Sequence, residues 1–156
     1  QGEVRPERVL EIVAAGLAAG PDEIALADTI GVAVPGQVGE MFTEVAKLAP
    51  DAKLRGHFHN TRNTGIANAY AAIEAGAAAL DASIGGFGGC PFAPAATGNV
   101  PSEDLVYMLN RSAIETGVDI EGLIETADWL GGALGKPGPA MLGRAGNFPP
   151  ADLRGN

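Results

Sequence analysis

Residues 54–83 read LRGHFHNTRNTGIANAYAAIEAGAAALDAS, and their pattern changes period twice. Leu54 to His59 has the length of a buried strand. Thr64 to Ala75 sets Ile66, Tyr70 and Ile73 three and four apart, as on one face of a helix. Ala78 to Ser83 returns to a small apolar strand before a glycine-rich loop. Strand, helix and strand within about 30 residues form a crossover unit, so the two strands are expected to run parallel.

The same alternation extends in both directions. Upstream, Glu23 to Ala27 is a short apolar run closing on Asp28 and Thr29, followed by a loop with Gly31, Pro35 and Gly36. Gln37 to Leu48 then carries Val38, Met41, Phe42, Val45 and Leu48 at helical spacing, and Arg5 to Leu17 does the same with Val9, Ile12, Val13 and Leu17. Downstream, Ser102 and Glu103 open a helix that includes Leu105, Met108 and Leu109. The fold class is α/β with parallel strands. An open doubly wound sheet and a section of a (β/α)8 TIM barrel both give this order. A doubly wound nucleotide site would place its glycine fingerprint after the first strand, whereas here the glycines follow the last strand and hold a cysteine. Asp28, His57, His59 and Ser83 all fall at strand ends, where a barrel gathers its chemistry, and this favours the barrel.

The 156 residues are 46% hydrophobic, enough for one domain with a core. Nineteen acids against ten bases give a net charge of −9, which repels phosphate backbones and excludes nucleic acid as an expected partner. No apolar run is long enough to span a bilayer and no secretion signal is visible, so a cytoplasmic location without membrane attachment is expected. Cys90 is the sole cysteine, which excludes an internal disulfide and leaves a small hydrophobe or a reactive thiol.

His57 and His59 are the only histidines, and a separation of two in a strand puts both imidazoles on one side, where they can share an ion. Asn60, Thr61 and Asn63 follow as polar groups able to orient imidazoles or water. Nitrogen donors with oxygen partners and vacant positions suit Mg2+, Mn2+ or Zn2+ alike. Gly85, Gly86, Gly88 and Gly89 form a turn that presents Cys90, and Asn99 beyond it can return a carboxamide oxygen. Asp28 either orients a histidine or a water, or caps the turn after its strand.

Residues 81–107, DASIGGFGGCPFAPAATGNVPSEDLVY, resemble the signature region of the 3-hydroxy-3-methylglutaryl-CoA lyases, and DTIG at 28–31 and HFHNT at 57–61 resemble two earlier motifs in the same order. The resemblance implies a divalent cation on His57, His59 and Asn99, an acyl-CoA substrate, and a retro-aldol cleavage. It makes Cys90 the candidate acid and His57 the candidate base, with Asp28 beside the substrate or behind a ligand. Asn60 stands where the family commonly has Asp, and Arg62 follows it, which leaves the acyl group open. No strand matches the family's Arg-Asp pair. Residues 1–156 are therefore expected to form the C-terminal part of the barrel, roughly strands six to eight with flanking helices, the N-terminal half being absent. Three strands leave open edges, so a catalytically silent, homo-oligomeric chain is expected. The alternatives are a synthase of the isopropylmalate or homocitrate type and an inactive barrel fragment.

Overall fold

The computed structural model describes residues 2–90 and 93–149, with the side chains of 90 and 93–97 left aside. Helix α1 (Pro6–Leu17) leads to β1 (Glu23–Asp28), α2 (Pro35–Leu48), β2 (Lys53–Phe58), α3 (Gly65–Glu74) and β3 (Ala79–Asp81). A short 3₁₀ turn (Ile84–Gly86) and a two-stranded hairpin, β4 (Gly89–Cys90) with β5 (Ala93–Thr97), precede α4 (Ser102–Arg111), α5 (Ile120–Leu134) and α6 (Leu142–Ala145). Proline opens α1 and α2, where its missing N–H costs nothing and its fixed φ suits the first turn.

Strands β1, β2 and β3 form one parallel sheet in chain order, the order of a barrel section and equally of one half of a doubly wound sheet. The register sets Ala27 beside His57 and His57 beside Asp81. Along β2 the faces alternate: Leu54, Gly56 and Phe58 are buried, while Arg55 and His57 on the opposite face are half-buried. The core lies on the first face. Phe42 and Val45 of α2, Ala69 and Ala72 of α3, Val100, and Leu105 and Leu109 of α4 join Leu54 and Phe58 there. Phe42 meets Phe58 with ring centroids 6.3 Å apart.

β3 is shorter than the run from Ala78 to Ser83, β2 lies one residue earlier than Leu54 to His59, and β1 extends past Ala27 to Asp28. Just past β2 the His59 N–H stays with β1, donating to the Asp28 carbonyl at 3.3 Å, while the residue also bridges to Asn99. β3 stops at Asp81, and Ser83 bridges instead to Pro101. The glycine-rich segment is an ordered turn and hairpin rather than a plain loop. Glu103, fully buried on α4, accepts the Gly85 N–H with both carboxylate oxygens, at 3.1 and 3.0 Å, and so ties that helix to the turn. Burial pushes its pKa up, outweighing the backbone hydrogen bonds that act in the other direction.

Truncating Phe42, which is 1% exposed, should cost about 3–5 kcal/mol in denaturant unfolding, with the slope of the transition unchanged. Glu103 gives a pH dependence of defined sign. Its proton is held in the folded state and released in the unfolded state as pH rises above the ordinary glutamate value of 4.5, so its contribution lowers stability in that direction. Glu103→Gln should therefore flatten the fall in stability between weakly acidic and neutral pH, measured as melting temperature against pH.

Candidate functional site

The C-terminal ends of the three strands and the hairpin turn meet at one place. His57, the penultimate residue of β2, and His59, just beyond it, have ring centroids 5.4 Å apart at an interplanar angle of 66°. The two imidazoles thus share a side, as their spacing requires. Asn99 arrives from β5: it forms an antiparallel bridge to His59, and the Asn60 N–H donates to the Gly98 carbonyl at 3.3 Å. The structure therefore brings together the three residues expected to bind a cation.

Their unpaired atoms are informative. His59 is 4% exposed and its Nδ1 has no hydrogen-bond partner; the Asn99 carboxamide donates from Nδ2 to the Phe87 carbonyl at 3.3 Å and leaves Oδ1 buried and unpartnered. Each such orphan costs about 1–3 kcal/mol of desolvation unless something occupies it. Burial also pushes the His59 pKa down, helped by neighbouring His57 and opposed by Asp28 and a backbone hydrogen bond at Gly98. A neutral imidazole is the form that ligates a metal. Two imidazoles and an amide oxygen with free lone pairs fit a divalent cation. Among the described residues no group of three or more His, Cys, Asp or Glu side chains is placed to hold a metal ion.

Asp28 reaches the same region but spends its carboxylate on the loop ahead. Oδ1 accepts the Val32 N–H at 3.0 Å and Oδ2 the Ala33 N–H at 2.9 Å. Arg62 closes that loop from the other side, its Nη1 donating to the carbonyls of Ile30 and Gly31 at 3.0 and 3.1 Å. Gly31 is required where these loops touch: its φ is +61°, and a Cβ would lie 2.9 Å from Thr61 and 3.1 Å from the His59 carbonyl oxygen. Asn60, expected to orient an imidazole or a water, accepts the Gly65 N–H through Oδ1 at 2.9 Å at the start of α3.

Cys90 ends β4 and pairs with Ala93 at the tip of the hairpin; its side chain lies outside the described residues. Gly88, beside it, has φ +109°, and a Cβ there would stand 2.7 Å from Asn99 Nδ2, so the backbone must pass that close to hold the carboxamide.

Two features escape a reading of the sequence alone. Asp81 of β3 faces His57, with Oδ2 3.2 Å from Nδ1, and its other oxygen accepts from Arg55. A strand-end acid of the right parity is visible in the sequence, but the register that pairs it with His57 is not. Behind the glycine turn, a cavity of about 520 Å³ is lined by Gly85, Glu103, Asp128, Lys136, Gly138 and Arg144, assembled from elements distant in the chain. No helix among the described residues is long and apolar enough to cross a membrane.

The (R)-citramalyl-CoA lyase of Chloroflexus aurantiacus is 50% identical over 145 residues, covering 93% of this chain and 46% of that protein. The mitochondrial hydroxymethylglutaryl-CoA lyase of Mus musculus is 39% identical over 145 residues, covering 93% of this chain and 45% of its own. The solved HMG-CoA lyase from Acinetobacter baumannii, in complex with coenzyme A and 3-methylmalate, superposes with a TM-score of 0.90 at 41% identity, over 100% of this chain and 50% of that one. The chain spans about half the length of the curated relatives it matches. The family model described as HMGL-like matches residues 1–130. On that match, and on a fold shared with a solved HMG-CoA lyase, the chain belongs to the HMGL-like family.

Proposed function

We propose that the chain forms the cation-binding side of a lyase that cleaves a 3-hydroxyacyl-CoA by a retro-aldol reaction. The observation that carries this is the convergence of His57, His59 and Asn99 with two buried, unpartnered acceptor atoms among them. A divalent cation, Mg2+ or Mn2+ with Zn2+ as a further candidate, would be held by these three residues. When bound, such an ion lowers the pKa of a coordinated hydroxyl and stabilises developing negative charge on oxygen. Among the described residues, β1 and β3 each pair on one side only, which accords with strands six to eight of a barrel whose other strands complete the site.

The reaction breaks the bond between C2 and C3 of the acyl chain. The 3-hydroxyl loses its proton and becomes a ketone, and the thioester half leaves as an enolate that takes a proton to give acetyl-CoA. Cys90, which ends β4 and pairs with Ala93 in the hairpin that leads on to Asn99, is the proposed donor of that proton, since a thiol can give it and a thiolate retake it. If Asp81 accepts from Nδ1 of His57, one lone pair remains on that ring, at Nε2. Cation ligation and proton abstraction compete for it, and the ring beside it, 5.4 Å away, supports ligation. Asp28 shapes the loop facing the substrate through its two backbone hydrogen bonds.

The acyl group is the part that the two named relatives divide. The higher identity to a citramalyl-CoA lyase, 50% against 39%, supports a short acyl chain whose ketone product is a 2-oxo acid. Supplied with the other half of the barrel and Mg2+ or Mn2+, the chain is expected to release acetyl-CoA and pyruvate from citramalyl-CoA faster than acetyl-CoA and acetoacetate from 3-hydroxy-3-methylglutaryl-CoA. Condensation of acetyl-CoA with 2-oxo acids, with no cleavage in a coupled assay, would replace this with the synthase reading. In the same assay Cys90→Ser should lower turnover by about 10²- to 10⁴-fold while leaving Mn2+ affinity intact. Unchanged turnover would remove Cys90 from the reaction.

A further inference from the structure

A line of charge crosses the half-buried face of the sheet and ends on His57. Glu23 at the start of β1 accepts from Arg55 of β2 twice, from Nε to Oε1 at 2.7 Å and from Nη2 to Oε2 at 3.1 Å. The third nitrogen, Nη1, donates to Oδ1 of Asp81 on β3 at 2.7 Å, and Oδ2 of the same carboxylate meets His57 Nδ1 at 3.2 Å. All three guanidinium nitrogens are thus committed to carboxylates on the two neighbouring strands. The parallel register makes this feasible, because it sets His57 directly beside Asp81 and centres Arg55 between β1 and β3.

Stability alone does not account for this network. Arg55, Glu23, Asp81 and His57 have side chains 34–38% exposed, and ion pairs at that exposure contribute little to stability. Geometry is what the network supplies. A carboxylate held at both oxygens cannot rotate freely, and an imidazole donating Nδ1–H to it is fixed in ring orientation and in tautomer. The Arg55 hydrogen bond also holds the Glu23 carboxyl below its ordinary range, so the far anchor of the line stays charged.

We propose that Glu23, Arg55 and Asp81 form a clamp across three strands, and that Asp81 is a positioning residue that turns the Nε2 lone pair of His57 towards the cation. The idea rests on the cation-binding role of His57 proposed above. Its first test is independent of that role. In the metal-free chain, at a pH where the ring is neutral, 15N–1H correlation spectra should show His57 protonated at Nδ1. Asp81→Ala should convert it to a mixture of tautomers, Asp81→Asn should recover part of the preference through its carboxamide oxygen, and Arg55→Met should weaken it. A wild-type ring protonated at Nε2, or a tautomer ratio unaltered in Asp81→Ala, would overturn the clamp. The second test is Mn2+ titration followed by electron paramagnetic resonance, in which Asp81→Ala should bind about 10- to 100-fold more weakly, as expected for loss of a ligand-orienting partner. Full-strength binding in that variant would also overturn the clamp. Mn2+ binding indifferent to His57→Gln would instead remove the cation-binding role of His57, and the tautomer ratios would still decide whether the clamp exists.

Discussion

The position of β2 between two parallel neighbours is the constraint on which the site depends. In parallel pairing the strands point the same way, so all three release their last side chains at one end of the sheet. His57 is then aligned with Ala27 on one side and Asp81 on the other, and His59 emerges just past the ladder, where its N–H can still reach the Asp28 carbonyl. A slip of β2 by one residue would turn Arg55 and His57 into the core and Leu54 and Phe58 out of it. The packing of Phe58 on Phe42 and the presentation of the imidazoles are consequently one fact seen from two faces of the sheet.

The loops beyond the strand ends carry the finer placement. Asp28 fixes the course of the chain into α2, Asn60 meets the N-terminus of α3, and the Ser83 hydroxyl donates to the Phe87 carbonyl at 2.6 Å, holding the glycine turn closed. Asn99 is then held between that turn and His59. These polar contacts place a carboxamide and two imidazoles close together without filling the acceptor atoms left over, an arrangement expected of a binding site rather than of a sheet end sealed for stability.

Much of this was visible in the amino-acid order. Helix and strand follow from periodicity, as in the spacing of Ile66, Tyr70 and Ile73, and the separation of two between His57 and His59 dictates their common side. Other parts were not. The segment around Pro94 lacks the alternation of a strand, yet β5 forms because it pairs back on β4. Helix α5 carries legible end signals, Asp119 accepting the Glu121 N–H and Gly135 left-handed at its end, but its apolar residues are spread round much of its surface. Asp81 could be seen only as a strand-end acid, since its partnership with His57 is a matter of register between strands 24 residues apart in the chain. Asp28, open between two roles in the sequence, has both oxygens on backbone N–H groups, which is the turn-capping geometry.

The latch between the first and second strand-end loops acts on one side through backbone alone. Arg62 grips the carbonyls of Ile30 and Gly31, and backbone oxygens exist whatever side chain is attached. The latch therefore places no demand on the side chain at position 30. Position 31 is constrained, because any side chain there strikes Thr61 and the His59 carbonyl. One arginine and one glycine thus fix how closely the two loops approach, and the side chain at position 30 takes no part in the latch.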